Sequence, residues 1–154
     1  MLSWLGAGAA LPVLAACGGT EAAARTYPVS YSQAEWRKRL TPQQFHILRE
    51  AGTEYPGTSP LLNEHRKGTF TCAADGNPLF ASGTKFDSGT GWPSFWKPLP
   101  GAVVERSDNS LLDQRTEVLC SRCGGHLGHV FDDGPAPTHL RYCMNGLALK
   151  FTPS

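Results

Sequence analysis

The sequence predicts a mainly β, antiparallel domain preceded by short N-terminal helices. Three observations point there. From Thr69 onward, short apolar and β-branched runs recur between clusters of turn-forming residues. Helix-start patterns are confined to residues 32–44. No internal repeat and no alternation of strands with helical stretches is present, which argues against a parallel sheet. The 17 Gly and 12 Pro residues fit many short strands joined by tight turns.

The first element is an address. Residues 2–16 are apolar and uncharged, too few to span a bilayer comfortably, and end in Leu14-Ala15-Ala16-Cys17 followed by Gly18-Gly19. An apolar run closing on small residues reads as a cleavable export signal over residues 1–16. The ending resembles a bacterial lipobox, which makes Cys17 the expected lipidation site. The protein is then expected in the periplasm or cell envelope, held to the membrane only by this lipid. No Lys or Arg precedes Arg25. The basic start of such a signal is therefore expected upstream of Met1. The competing expectation is a hydrophobic helix packed on the domain. Residues 17–30, with Ala22-Ala23-Ala24, read as a tether, and 31–154 as the domain proper.

Two helices should follow. Ser32-Gln33-Ala34-Glu35 has the form of a capping box, with Trp36 and Leu40 four residues apart on one face. Thr41-Pro42-Gln43-Gln44 is a second start: an N-cap, Pro at the first helical position and Gln at the third. Phe45 and Leu48 are expected on its inner surface together with His46, and Gly52 should end it. Residues 52–67, rich in Gly, Pro, Asn and Ser, read as loop. Strands are expected at 68–72, 78–82, 103–107, 114–120, 129–131 and 141–151. Turns at Asp75-Gly76-Asn77, Asp87-Ser88-Gly89, Pro100-Gly101 and Asp132-Asp133-Gly134-Pro135 separate them.

At 154 residues the chain suits one domain with one core. With 40% hydrophobic and 18% charged residues it is a folding composition. Fourteen basic against 13 acidic residues give no electrostatic footprint for nucleic acid or an anionic membrane. The chain is read as a monomer.

Three segments carry chemistry. In a strand over Arg141-Tyr142-Cys143-Met144-Asn145, alternation sends Arg141, Cys143 and Asn145 to one face, and Tyr142 and Met144 to apolar packing. A guanidinium beside a thiol favours the nucleophilic thiolate. A small buried filler is the commoner fate of a free cysteine, so this strand alone leaves both open. The second segment holds His126 and His129, three residues apart among glycines. A histidine near a cysteine can tune its ionisation and protonate a leaving oxygen. One of the pair, His126 before His129, could instead hydrogen-bond within the core. The third segment, residues 85–96, places Trp92, Phe95 and Trp96 in a glycine-flanked loop. They suit either the core or an apolar box for a methyl group.

Taken together, the stretches KFDSGTGWPSF (85–95), RTEV (115–118), HLGHVF (126–131), DGP (133–135) and RYCMN (141–145) resemble the B family of methionine sulfoxide reductases. The resemblance runs from about residue 33 to 151. It implies a mainly β fold with two antiparallel sheets. It implies reduction of methionine-R-sulfoxide, mainly in proteins, with Cys143 as the nucleophile that becomes a sulfenic acid. By the same resemblance, Trp92 is expected to receive the substrate methyl group with Phe95 beside it, and the roles that follow are expected likewise. His129 and Asn145 bind and polarise the sulfoxide, supported by His126 and Arg141. The expected partners are oxidised methionine in proteins and a thioredoxin-like reductant, and no cofactor is needed for the chemistry.

The chain departs from the family pattern chiefly in two respects. Many members hold a structural zinc with two CxxC pairs. Here Cys120 and Cys123 form one pair, while the other reads Cys72-Ala73-Ala74-Asp75. A zinc site of Cys72, Asp75, Cys120 and Cys123 is chemically allowed, since zinc accepts carboxylate oxygen. The recycling cysteine is absent from both usual positions, where Thr90 and Thr58 stand. The sulfenic acid then awaits an external thiol, or else one of Cys72, Cys120 and Cys123 is freed for the task. Two rival classes fit less of the sequence. A non-catalytic zinc ribbon leaves Trp92, His129 and the Arg141-x-Cys143-x-Asn145 pattern without a role. A thiol–disulfide oxidoreductase built on Cys120 and Cys123 wants a helix start, and the sequence offers a strand and turn.

Overall fold

A computed structural model describes residues 26–109 and 114–154. The predicted signal and Cys17 lie outside the described residues. Of the predicted tether, Tyr27 lies against Gly124, and the Val29 amide donates to the Arg122 carbonyl at 2.8 Å. Among the described residues no helix is long and apolar enough to cross a membrane.

Both helices begin as the sequence requires. In α1 (Gln33–Arg39) the Ser32 hydroxyl accepts from the Glu35 amide. In α2 (Pro42–Glu50) both halves of the Thr41–Gln44 capping box are made. The end of α2 differs from expectation. Ala51, not Gly52, takes the left-handed conformation, at φ 52°. Gly52 serves a different need: a Cβ there would sit 2.5 Å from the His46 ring. His46 is also corrected. It is exposed and bonded to Glu50, and Phe45, Ile47 and Leu48 form the buried face.

Among the described residues nine strands follow: β1 (Gly68–Cys72), β2 (Pro78–Ala81), β3 (Lys85–Phe86), β4 (Ser94–Phe95), β5 (Val103–Asp108), β6 (Arg115–Cys120), β7 (His126–Phe131), β8 (Arg141–Met144) and β9 (Leu149–Pro153). They form two antiparallel sheets, ordered β2-β1-β9 and β3-β4-β8-β7-β6-β5. The predicted mainly β, two-sheet class is what the structure has. Two boundaries matter for function. The predicted strand 141–151 is really two, because a 3-10 turn at Gly146–Ala148 hands the chain from the large sheet to the small one. The third chemical segment, expected as loop, supplies β3 and β4 at the edge of the large sheet.

The core lies between the sheets. Phe80 of β2 stacks on Phe95 of β4 at 4.3 Å, and Phe70 of β1 meets Phe95 edge-on at 4.9 Å. All three are fully buried. Burying each such side chain stabilises by roughly 1.5–3 kcal/mol before entropy is counted. Tyr142 and Met144 of β8 point into this core, so Arg141 and Cys143 must face the other way.

Candidate active site

The large sheet places β8 between β4 and β7. The register sets Cys143 beside Ser94 on one side and His129 on the other. Backbones approach closely here: a side chain at Gly128 would run into the backbone of Cys143. On the outward face of β8 a cavity of about 130 Å³ is lined by Thr53, Trp92, Arg115, His129, Cys143 and Asn145, with Gly128 and Phe131. Cys143 is half-buried there, whereas the other described cysteines are buried.

Four of the predicted site residues, Trp92, His129, Cys143 and Asn145, therefore share one cavity. Asn145 lies just past the end of β8, yet it reaches the same side as Cys143. Its side chain is fixed. Oδ1 accepts from the Glu54 amide at 3.0 Å, and Nδ2 donates to the Leu127 carbonyl at 3.1 Å. The Trp92 indole N–H donates to the Glu54 carbonyl at 3.2 Å. The Glu54 carboxylate accepts from the amides of Gly146 and Leu147 at 2.6 and 2.8 Å. Glu54 thus ties the tryptophan wall, the asparagine and the turn after β8 into one unit. Sequence reasoning passed over it, because one carboxylate in a Gly- and Pro-rich loop carries no pattern.

The histidines differ in depth. His129 places Nε2 2.8 Å from Asp108 Oδ2, which also accepts from Arg115 at 2.8 Å. Burial pulls the His129 pKa below the ordinary imidazole value, with Asp108 pushing the other way. His126 is buried and outside the cavity lining, its ring 5.4 Å from that of His129. Its Nδ1 lies 2.7 Å from Glu117 Oε1, a carboxylate that also binds Arg106. Burial alone would raise the Glu117 pKa, but His126 and Arg106 outweigh it and hold it low.

Arg141 makes two 2.8 Å bonds to Asp133 and stacks over Phe131. Its pKa is raised by Asp133 first and also by the neighbouring Cys143 sulfur. A guanidinium so held supplies positive charge next to the thiol. Phe95 is not brought to the cavity; it belongs to the aromatic core. Thr90 Oγ1 lies 3.8 Å from the Cys143 sulfur, so one of the two threonines standing where a recycling cysteine was expected is a direct neighbour of that thiol. Thr58, the other, is exposed and bonds the Tyr55 carbonyl.

A second cluster lies elsewhere. The ligating atoms of Cys72, Asp75, Cys120 and Cys123 all fall within 4.8 Å of one another. A tetrahedral zinc, with Zn–S of about 2.3 Å and Zn–O of about 2.0–2.2 Å, sets two sulfurs about 3.8 Å apart and sulfur and oxygen about 3.6 Å apart. The Cys72 and Cys123 sulfurs are 3.8 Å apart, and Cys120 Sγ is 3.6 Å from Asp75 Oδ2. Cys120 ionises most readily, its sulfur receiving bonds from Cys123 and Cys72 and from backbone amides. Asn77 Nδ2 also lies 3.5 Å from that sulfur. Donor set, spacing and burial fit a structural zinc. The Cys120–Cys123 turn leads from strand to strand, with no helix start that a redox CxxC would use.

A SelR-domain family model matches residues 40–153. The chain is 57% identical to the peptide methionine sulfoxide reductase MsrB of Agrobacterium fabrum over 126 residues, 81% of this chain and 93% of that protein. It is 55% identical to the protein of that name from Leptospira interrogans, covering 81% of this chain and 96% of the relative. Against the chloroplastic peptide methionine sulfoxide reductase B1 of Arabidopsis thaliana, identity is 51%, over 79% of this chain and 60% of that protein. Extended over most of the chain, and joined to a cavity that gathers Trp92, His129, Cys143 and Asn145, these matches make the chain a member of the SelR-domain family of MsrB peptide methionine sulfoxide reductases.

Proposed function

We propose that the protein reduces methionine-R-sulfoxide, mainly in polypeptides, by thiolate attack from Cys143. The observation that carries this is the half-buried Cys143 sharing one small cavity with Trp92, His129 and Asn145. The substrate methyl group rests on Trp92. The Cys143 sulfur attacks the sulfoxide sulfur while the oxygen takes up a proton from solvent, since an unprotonated oxygen is displaced poorly. His129 and Asn145 face that oxygen, and Arg141 holds the thiolate. The protonated oxygen then passes from the methionine sulfur to the Cys143 sulfur as the new S–S bond breaks, so methionine departs reduced by two electrons and Cys143 is left as a sulfenic acid. One external thiol displaces water from the sulfenic acid to give a mixed disulfide. A second thiol releases Cys143 and leaves as the disulfide. A thioredoxin-like protein supplies both thiols.

An external reductant suits this chain because Cys72, Cys120 and Cys123 are buried in their own cluster, where with Asp75 they offer the donor set of a structural zinc. The lipobox-like ending at Cys17 supports an envelope-anchored protein that repairs other exported proteins. The test is reduction of racemic methionine sulfoxide with dithiothreitol, followed by chiral analysis. Loss of the R epimer alone is expected, with no turnover by Cys143→Ser. Activity surviving that change would sink the assignment.

A further inference from the structure

Beneath Cys143 runs a row of three hydroxyls that this reaction leaves without a role. Thr90 Oγ1 is 3.8 Å from the Cys143 sulfur. Ser88 Oγ is 2.8 Å from Thr90 Oγ1 and 2.7 Å from Ser94 Oγ. Ser94 Oγ donates to the Trp92 carbonyl at 3.2 Å. The Thr90 amide also points at Ser88 Oγ, at 3.4 Å. Ser94 is fully buried and is the register partner of Cys143 on the neighbouring strand. One end of the row is a carbonyl, which only accepts. The other is a sulfur that donates as a thiol and only accepts as a thiolate.

The hydrogens can be counted. Each hydroxyl has one hydrogen to give. With Cys143 as a thiol, every link is served in one direction: sulfur to Thr90, Thr90 to Ser88, Ser88 to Ser94, Ser94 to the Trp92 carbonyl. The thiolate has one hydrogen fewer and needs a donor. The three hydroxyls then turn around: Ser94 gives to Ser88, Ser88 to Thr90, and Thr90 to the sulfur. The bond surrendered is the one to the Trp92 carbonyl. No O–H bond breaks; the hydroxyls rotate, and the thiol proton leaves for solvent. A hydrogen bond to an anion is stronger than the neutral one it replaces, the more so away from water.

We propose that Thr90, Ser88 and Ser94 form a reversible hydroxyl chain in which Thr90 stabilises the Cys143 thiolate and the Ser94–Trp92 carbonyl bond opposes it. This rests on Cys143 being the nucleophile. It gives Thr90 a positioning role in the place where relatives carry a recycling cysteine. It also makes a prediction of sign that simple packing does not. Thr90→Val removes the donor to sulfur, so ionisation becomes harder. Ser94→Ala removes the competing bond, so Ser88 and Thr90 have only the sulfur end to serve and ionisation becomes easier. Ser88→Ala, on the more exposed loop, uncouples Thr90 from Ser94 and acts in the same sense as Ser94→Ala.

The experiment is the pH dependence of iodoacetamide alkylation, followed by mass spectrometry on the Cys143 peptide of the full-length protein. Below the midpoint, the rate should fall about two- to tenfold in Thr90→Val and rise by a similar factor in Ser94→Ala or Ser88→Ala. Thr90→Ser should restore the wild-type profile. Shifts of the same sign in Thr90→Val and Ser88→Ala, or no shift in either, overturn the proposal. Because alkylation involves no sulfoxide, its outcome is separate from that of the reductase assay on Cys143→Ser.

Discussion

Glu54 has no place in the reacting atoms, yet three parts of the cavity depend on it. Its backbone holds Trp92 and Asn145, and its carboxylate caps the turn at Gly146–Ala148. Truncation leaves two amides without their acceptor in a largely buried place. Glu54→Ala is expected to cost about 2–4 kcal/mol, read by urea denaturation, and to lower kcat/KM for the sulfoxide. Glu54→Gln keeps one acceptor oxygen and should recover part of both. The motif residues Cys143, His129, Trp92 and Asn145 were legible because their types and spacing repeat a family pattern. Glu54 was not, because its role is made by neighbours 38 to 93 positions away. Phe95 shows the opposite case. Its place in the motif suggested the substrate, while its packing between Phe70 and Phe80 makes it core.

At the scale of elements, β7 and β8 must pair closely enough to set His129 beside Cys143. Gly128 permits that approach, since any side chain there meets the Cys143 backbone. Gly128→Ala should cost about 1–3 kcal/mol or more, seen as a fall of several degrees in Tm, and should depress activity further by parting the two strands. The helix N-caps and most strands were legible from local signals such as Thr41 to Gln44 and the alternation in β8. The break at Gly146–Ala148 was not. Residues 141–151 read as one apolar strand, and only the long-range pairing of β9 with β1 separates them. The two-residue strands β3 and β4 were equally hidden, because a strand that short has no alternation to detect.

For the molecule as a whole, the Cys72–Asp75–Cys120–Cys123 cluster ties β1 of the small sheet to the β6–β7 turn of the large one. A metal there would join both sheets, and its binding free energy would become folding free energy. Purified protein is expected to carry about one zinc per chain by elemental analysis, and strong chelation should lower Tm by many degrees. Asp75→Ala should weaken retention of the metal, and clearly substoichiometric zinc in unchelated protein would remove the site. Register also links this cluster to the turn after β8, since Cys72 pairs with Leu149 and the Ala73 amide donates to the Ala148 carbonyl.

The described cysteines are segregated by depth. Cys72, Cys120 and Cys123 are sealed away, as is Met144, while Cys143 alone among them meets the cavity. Among the described residues, an oxidant entering from outside therefore reaches first the one sulfur whose oxidised form belongs to the proposed cycle. Hydrogen peroxide at that sulfur would produce the sulfenic acid that turnover itself produces, and the same thiols would clear it. A protein arranged this way fails gracefully: in the conditions that make its substrate, early damage to it is indistinguishable from work in progress.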